Sequence, residues 1–117
     1  MTAPAHIFIT GASSGIGAAL ARSYARNGIR LSLLARNAEK LAQVARECQS
    51  AGATVDWKTI DVVSSESVRV WIEECEAMTP IDMVIANAGI GGERVIAPFS
   101  GEAPGVAREI VDTNILG

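Results

Sequence analysis

The stretch Ile7-Phe8-Ile9-Thr10-Gly11-Ala12-Ser13-Ser14-Gly15-Ile16-Gly17 decides the fold. A short apolar run breaks into small residues and then passes into a helical pattern. That order describes a strand, a tight turn and the start of a helix. A helix start leaves backbone N–H groups unpaired and carries a positive partial charge. A phosphate is the natural partner for such an end. Gly11 then lets the chain turn off the strand, Gly15 lets a phosphate approach the backbone, and Gly17 lets the helix pack on the sheet. Ser13 and Ser14 offer hydroxyls, either as helix caps or as donors to the phosphate. A plain loop between strand and helix is the alternative reading of the same residues.

Outward from this turn, the chain alternates. Residues 5–10 read as the first strand, and their continuous apolarity suits a strand covered on both faces. His6 sits at its end and is assigned no chemistry. A helix is predicted from about Gly15 to Asn27, with Ile16, Leu20 and Tyr24 as its buried stripe and Arg22 and Arg26 solvated. Gly28 is its stop. Residues 30–35 form the second strand. Asn37 caps the next helix, where Leu41, Val44, Ala45 and Cys48 share a face, and Gly52 ends it. Thr54 to Ile60 is the third strand. A third helix starts at Ser64, with Val68, Trp71, Ile72 and Cys75 inward and Glu73, Glu74 and Glu76 wet. Pro80 precedes the fourth strand, Ile81 to Ala86. A glycine-containing loop then runs to about Gly101. A fourth helix is expected from near Pro104, with Ala107, Ile110, Val111 and Asn114 on one face.

Strand-helix alternation implies right-handed βαβ units. The expected fold is an α/β, Rossmann-type doubly wound parallel sheet of order 3-2-1-4, incomplete at its C-terminal end. A nucleotide would lie at the carboxyl ends of the strands.

Bulk properties exclude several classes. A chain of 117 residues, 49 % hydrophobic, makes one domain with a real core. A net charge of −3 argues against a nucleic-acid footprint. No basic block suggests an anionic membrane surface, and no apolar run approaches spanning length. The first residues, Met1-Thr2-Ala3-Pro4-Ala5, show no signal-peptide pattern, so a cytoplasmic location is expected. Cys48 and Cys75 lie in different helical patterns and outside any Cys-x-x-Cys, which reads as two buried thiols. His6 is the only histidine, so no metal site is expected.

Arg36 follows the second strand, where a dinucleotide fold meets the adenosine ribose. An acid there would accept from the ribose hydroxyls, whereas an arginine pairs with a 2′-phosphate. Ala35 and Arg36 therefore favour NADP(H) over NAD(H), with an ordinary surface arginine as the alternative. Asp61 can accept from an adenine amino group while Val62 packs on the ring; a helix-proximal aspartate is the plain reading. In Asn87-Ala88-Gly89, Asn87 can brace the first turn and Gly89 leaves room beside the cofactor ribose.

The turn is Gly-x-x-x-Gly-x-Gly rather than the usual Gly-x-Gly-x-x-Gly. In that form Thr10 to Gly17 resembles the cofactor turn of the short-chain dehydrogenase/reductase family. The resemblance extends to Arg36, Asp61-Val62, Asn87-Ala88-Gly89 and Asn114, in order along the whole chain. It implies cofactor contacts from Gly11, Ser13, Ser14, Gly15, Ile16, Gly17, Arg36, Asp61, Val62, Asn87, Ala88 and Gly89. It also implies a catalytic role for Asn114, which in the family supports a water chain to the catalytic lysine; a surface or capping asparagine is the alternative. Ser14 is not basic, so one 2′-phosphate contact of some members is missing.

The resemblance implies hydride transfer between a nicotinamide and a small-molecule carbonyl or alcohol, carried by a serine, a tyrosine and a lysine. No Tyr-x-x-x-Lys occurs in these residues: Tyr24 is followed at that spacing by Gly28. Residues 1–117 are thus expected to be the N-terminal part of a single NAD(P)-binding domain, inactive alone, from a homo-oligomeric enzyme. The competing expectation is a nucleotide-binding or interaction module without catalysis. A P-loop NTPase fits poorly, because the turn lacks Gly-Lys-Ser/Thr. A half-fold should also expose an apolar edge on the fourth strand and self-associate.

Overall fold

A computed structural model describes residues 5–13, 15–60, 65–87 and 94–98. Its elements are β1 (His6–Thr10), α1 (Gly15–Tyr24), β2 (Arg30–Ala35), α2 (Ala38–Ser50), β3 (Thr54–Thr59), α3 (Ser65–Met78), β4 (Met83–Asn87) and β5 (Arg94–Pro98). They form one sheet of order β3-β2-β1-β4-β5. The pairs β1–β2, β1–β4 and β2–β3 are parallel, in the order expected.

Side-chain alternation along the strands divides the interior into two layers. Ile7 and Ile9 of β1 and Leu31 and Leu33 of β2 point to one face, under Ala18 and Ala21 of α1 and Leu41, Val44 and Cys48 of α2. Phe8 and Leu34 point to the other, under Val68, Trp71, Ile72 and Cys75 of α3. The Phe8 and Trp71 rings meet at 5.3 Å between centroids and 53° between planes, a tilted geometry that aromatic quadrupoles favour. Burial on both faces explains why β1 and β2 read as continuous apolar runs.

Several expectations are corrected. α1 stops at Tyr24 rather than Asn27, and Gly28 serves the following turn, with φ +87°. Its buried face is Gly17, Ala18 and Ala21, not Ile16-Leu20-Tyr24. Small residues let the helix backbone settle close to the sheet, which turns the larger side chains aside. Leu20 and Tyr24 are only partly buried and Ile16 is 50 % exposed. β3 is an edge strand, and most of its residues are exposed. Glu76 is not simply wet: its Oε2 accepts from the Ile81 amide at 2.6 Å.

The loop expected between Gly89 and Gly101 contains a strand. β5 pairs antiparallel with β4, Ile85 opposite Ile96. β4 therefore has a partner on its outer side, and the exposed fourth-strand edge is not found. Residues 88–93 are too few for the crossover that a parallel strand needs, so the chain returns antiparallel. Unpaired amides and carbonyls on β4 give the return its driving force. The fourth helix expected near Pro104 lies outside the described residues. Among the described residues, no helix is long and apolar enough to cross a membrane.

Candidate nucleotide-binding site

The carboxyl ends of β1, β2 and β4 converge on one end of the sheet. Parallel register fixes their levels: Thr10 lies beside Leu34, and Ile9 beside Ile85. Counting on from those pairs, Gly11, Ala35 and Asn87 come level, with Arg36 one residue further. Thus the first turn, the second-strand arginine and the fourth-strand asparagine share one edge.

The turn itself has the backbone the glycines promise. Gly11 has φ +62° and Gly15 φ +57°, values that cost an L-residue about 1–2 kcal/mol. The Ala12 N–H donates to the Leu34 carbonyl at 3.1 Å, which pins the turn to β2. Ala12 is fully buried, and Gly17 is buried where α1 meets the sheet. A Cβ built on Gly15 would meet nothing within 4 Å. Open space thus lies directly over the backbone where α1 begins, and a phosphate could approach unpaired N–H groups there. Close by in the chain, Ser13 is partly buried and Ile16 is 50 % exposed.

Arg36 is exposed at the end of β2. The ion pairs of the described residues are Arg22–Glu47, Arg30–Asp56 and Arg69–Glu66. Arg36 joins none of them, so its guanidinium has no partner among the described residues. Asn37 follows and caps α2, its Oδ1 accepting from the Lys40 amide at 3.0 Å. The cap starts α2 immediately after Arg36, so that residue sits on a fixed corner rather than a long loop.

Of the remaining sequence-predicted site residues, Asn87 is placed by its backbone at the end of β4. Ser14, Asp61, Val62, Ala88, Gly89 and Asn114 lie outside the described residues. Just beyond β3, the Ile60 N–H donates to the Ala35 carbonyl at 3.0 Å. The tie from Ala12 to Leu34 was not legible in the sequence, because every non-proline residue carries the same N–H. Among the described residues no group of three or more His, Cys, Asp or Glu gathers as a metal site.

A parallel-stranded core with a glycine turn at its central strand and an exposed arginine at the end of the next is a dinucleotide-binding architecture. The family model described as short chain dehydrogenase matches residues 5–117. The chain therefore belongs to the short-chain dehydrogenase/reductase family. It is 39 % identical over 115 residues to a 3-dehydrosphinganine reductase of Arabidopsis thaliana, covering 96 % of this chain and 32 % of that protein. A metagenomic short-chain oxidoreductase solved in complex with NADP matches with TM-score 0.67 and 37 % identity, covering 74 % of this chain and 39 % of that one. The alcohol dehydrogenase of the archaeon Thermococcus sibiricus, solved with 5-hydroxy-NADP, matches with TM-score 0.67 and 35 % identity over 90 % of this chain and 49 % of that one. The chain spans less than half the length of each.

Proposed function

We propose that this chain is the cofactor-binding part of an NADP(H)-dependent oxidoreductase acting on a small-molecule carbonyl or alcohol. The observation that carries the reading is the pairing of an open glycine turn with Arg36, exposed at the same sheet end and without an ion-pair partner among the described residues. The turn around Gly11, Ser13, Ser14, Gly15, Ile16 and Gly17 would hold the pyrophosphate on the start of α1. Arg36 would pair with the 2′-phosphate, since a guanidinium fits phosphate oxygens with two donors. Asp61 and Val62 would receive the adenine. Asn87, Ala88 and Gly89 would flank the ribose and brace the turn. Bound NADP(H) would supply the hydride, and nothing in residues 5–87 need do more than bind and orient it.

Residues 1–117 act on this reading as the N-terminal part of one NAD(P)-binding domain. They contain no Tyr-x-x-x-Lys, so proton transfer to substrate falls to residues beyond them, with Asn114 as the contribution from this stretch. The two free, buried thiols, Cys48 and Cys75, suit a reducing, cytoplasmic setting. NADP complexes among the structural relatives support the cofactor, and a homo-oligomer completes the proposal.

The test is equilibrium binding of NADPH and NADH to the intact protein and to Arg36→Ala. A charge-assisted contact contributes about 1.5–3 kcal/mol, so NADPH affinity should fall roughly ten- to a hundredfold while NADH affinity changes little. An unchanged NADPH-to-NADH ratio overturns the role of Arg36. Failure to bind either cofactor overturns the function.

A further inference from the structure

Asn27 and Gly28 form the corner between α1 and β2. The Arg26 carbonyl accepts from the Ile29 N–H at 3.3 Å, which closes a turn around them. Gly28 has φ +87°, close to the value of about +80° that a type II turn requires at its third residue. Both residues are exposed. The corner lies at the amino end of β2, away from the glycine turn.

Of the asparagines Asn27, Asn37, Asn87 and Asn114, only Asn27 is followed by glycine. A glycine sets no side chain between its own nitrogen and the side chain before it. The space is also open, since a Cβ on Gly28 would meet nothing within 4 Å. The Gly28 N–H donates to no acceptor among the described residues. That nitrogen therefore breaks no hydrogen bond of its own when it turns toward Asn27 Cγ. The turn must rotate for it to do so, and the Ile29–Arg26 bond that holds the turn is longer than the usual N–H···O distance. Asn37 is the contrast within the same chain. Its Oδ1 is held by the Lys40 amide at 3.0 Å, and the residue after it, Ala38, begins α2.

We propose that Asn27–Gly28 is a site of spontaneous deamidation in the folded protein, and that the conversion weakens the corner between α1 and β2. Hydroxide removes the Gly28 amide proton, and the nitrogen attacks Asn27 Cγ. The new N–Cγ bond closes a succinimide ring. The Cγ–Nδ2 bond breaks, and Nδ2 leaves as ammonia with a proton from water, which restores the hydroxide. Water then opens the ring at one of its carbonyl carbons. Opening at Cγ leaves an aspartyl residue at position 27. Opening at the main-chain carbonyl leaves an isoaspartyl residue, whose backbone runs through Cβ and Cγ. The sum is amide and water to carboxylate and ammonium, with nothing oxidised or reduced.

The surroundings of Asn27 make the product unfavourable. Its side chain lies over Gly52, in the space a Cβ there would take. Gly52 follows the α2 cap at Ala51, and its N–H donates to the Gln49 carbonyl at 2.9 Å. The carboxyl end of a helix carries partial negative charge, so a carboxylate placed there is repelled. The isoaspartyl form also adds a backbone carbon to a link held at both ends. α1 stops at Tyr24, and the Arg30 N–H is fastened to the Ala5 carbonyl at 2.7 Å.

The experiment keeps the intact protein in mildly alkaline buffer made with oxygen-18 water, once folded and once in urea. Peptide mapping by mass spectrometry, with fragmentation that separates aspartyl from isoaspartyl, then follows each asparagine. In the folded protein, position 27 should gain a carboxylate with one labelled oxygen, as both isomers. Its rate should lie within about tenfold of the rate in urea and exceed that of Asn37 by at least about tenfold, each factor being about 1.4 kcal/mol of barrier. The converted protein, separated by anion exchange, should unfold at lower urea than the unconverted protein. Asn27→Gln should not form the acidic species, because its longer side chain must close a larger ring. An Asn27 that survives in the folded protein while it converts in urea overturns the site. An aspartyl product alone, or equal conversion at Asn37, does the same. An unchanged urea midpoint overturns the weakening. The intact protein supplies these measurements, so they decide even if Asn27→Gln does not fold.

Discussion

Gly28 and Gly52 show what a single backbone angle is worth in this chain. Both have positive φ, +87° and +103°. Their surroundings differ. A Cβ on Gly28 would meet nothing within 4 Å, whereas one on Gly52 would lie 1.9 Å from Asn27 Oδ1 and 3.1 Å from the Asn27 amide nitrogen. The exposed Asn27 side chain can swing away, but its backbone cannot. Gly28→Ala should therefore cost about 1–2 kcal/mol from conformation alone, and Gly52→Ala should cost more. Urea midpoints of the two variants measure the difference, and equal midpoints would remove the Asn27 contact from the account. Both glycines were read from the sequence as helix stops; Gly52 does follow the α2 cap at Ala51, whereas Gly28 lies in the turn beyond the end of α1 at Tyr24. The contact of Gly52 with Asn27 joins residues far apart in the chain.

At the scale of elements, α2 was the most legible. Leu41, Val44, Ala45 and Cys48 recur at helical spacing and are all buried, and Asn37 caps the start. Asn37→Ala should destabilise the protein by about 1 kcal/mol, because the Lys40 amide loses its acceptor. Chemical denaturation checks the value, and an unchanged midpoint would mean that solvent replaces the cap without loss. α1 was less legible for a definite reason. Its larger side chains suggested one buried stripe, but the sheet selected the face with the least bulk, Gly17, Ala18 and Ala21. That choice exposes Ile16 at the candidate nucleotide site. α3 kept its predicted face of Val68, Trp71, Ile72 and Cys75. β5 was missed because its pairing partner lies in β4, and nothing local in Arg94–Pro98 names that partner.

For the whole molecule, binding and stability are linked. A ligand that binds the native state alone, at a hundred times its dissociation constant, adds about 2.7 kcal/mol of stability. NADPH should raise the melting temperature of the intact protein, and in Arg36→Ala the same NADPH concentration should raise it less. Differential scanning fluorimetry reads both shifts. An equal shift in the two proteins would separate Arg36 from the bound phosphate. The two ends of the sheet also divide the labour. The carboxyl end gathers the turn, Ala35 and Asn87 at one level, while the amino end carries the buried His6 ring and the Arg30–Asp56 pair.

The amino-acid sequence by itself determined the order of strands and helices from β1 to β4, the parallel order 3-2-1-4 and the residues of the glycine turn. These follow from local periodicity, from glycine's freedom at positive φ and from the handedness of βαβ units. Tertiary structure alone decided the rest. It turned α1 onto its small residues, returned β5 antiparallel beside β4, and closed the His6 ring onto Ser32 and the Thr79 carbonyl. Those outcomes depend on which distant surfaces meet, and on the requirement that every buried polar group find a partner there.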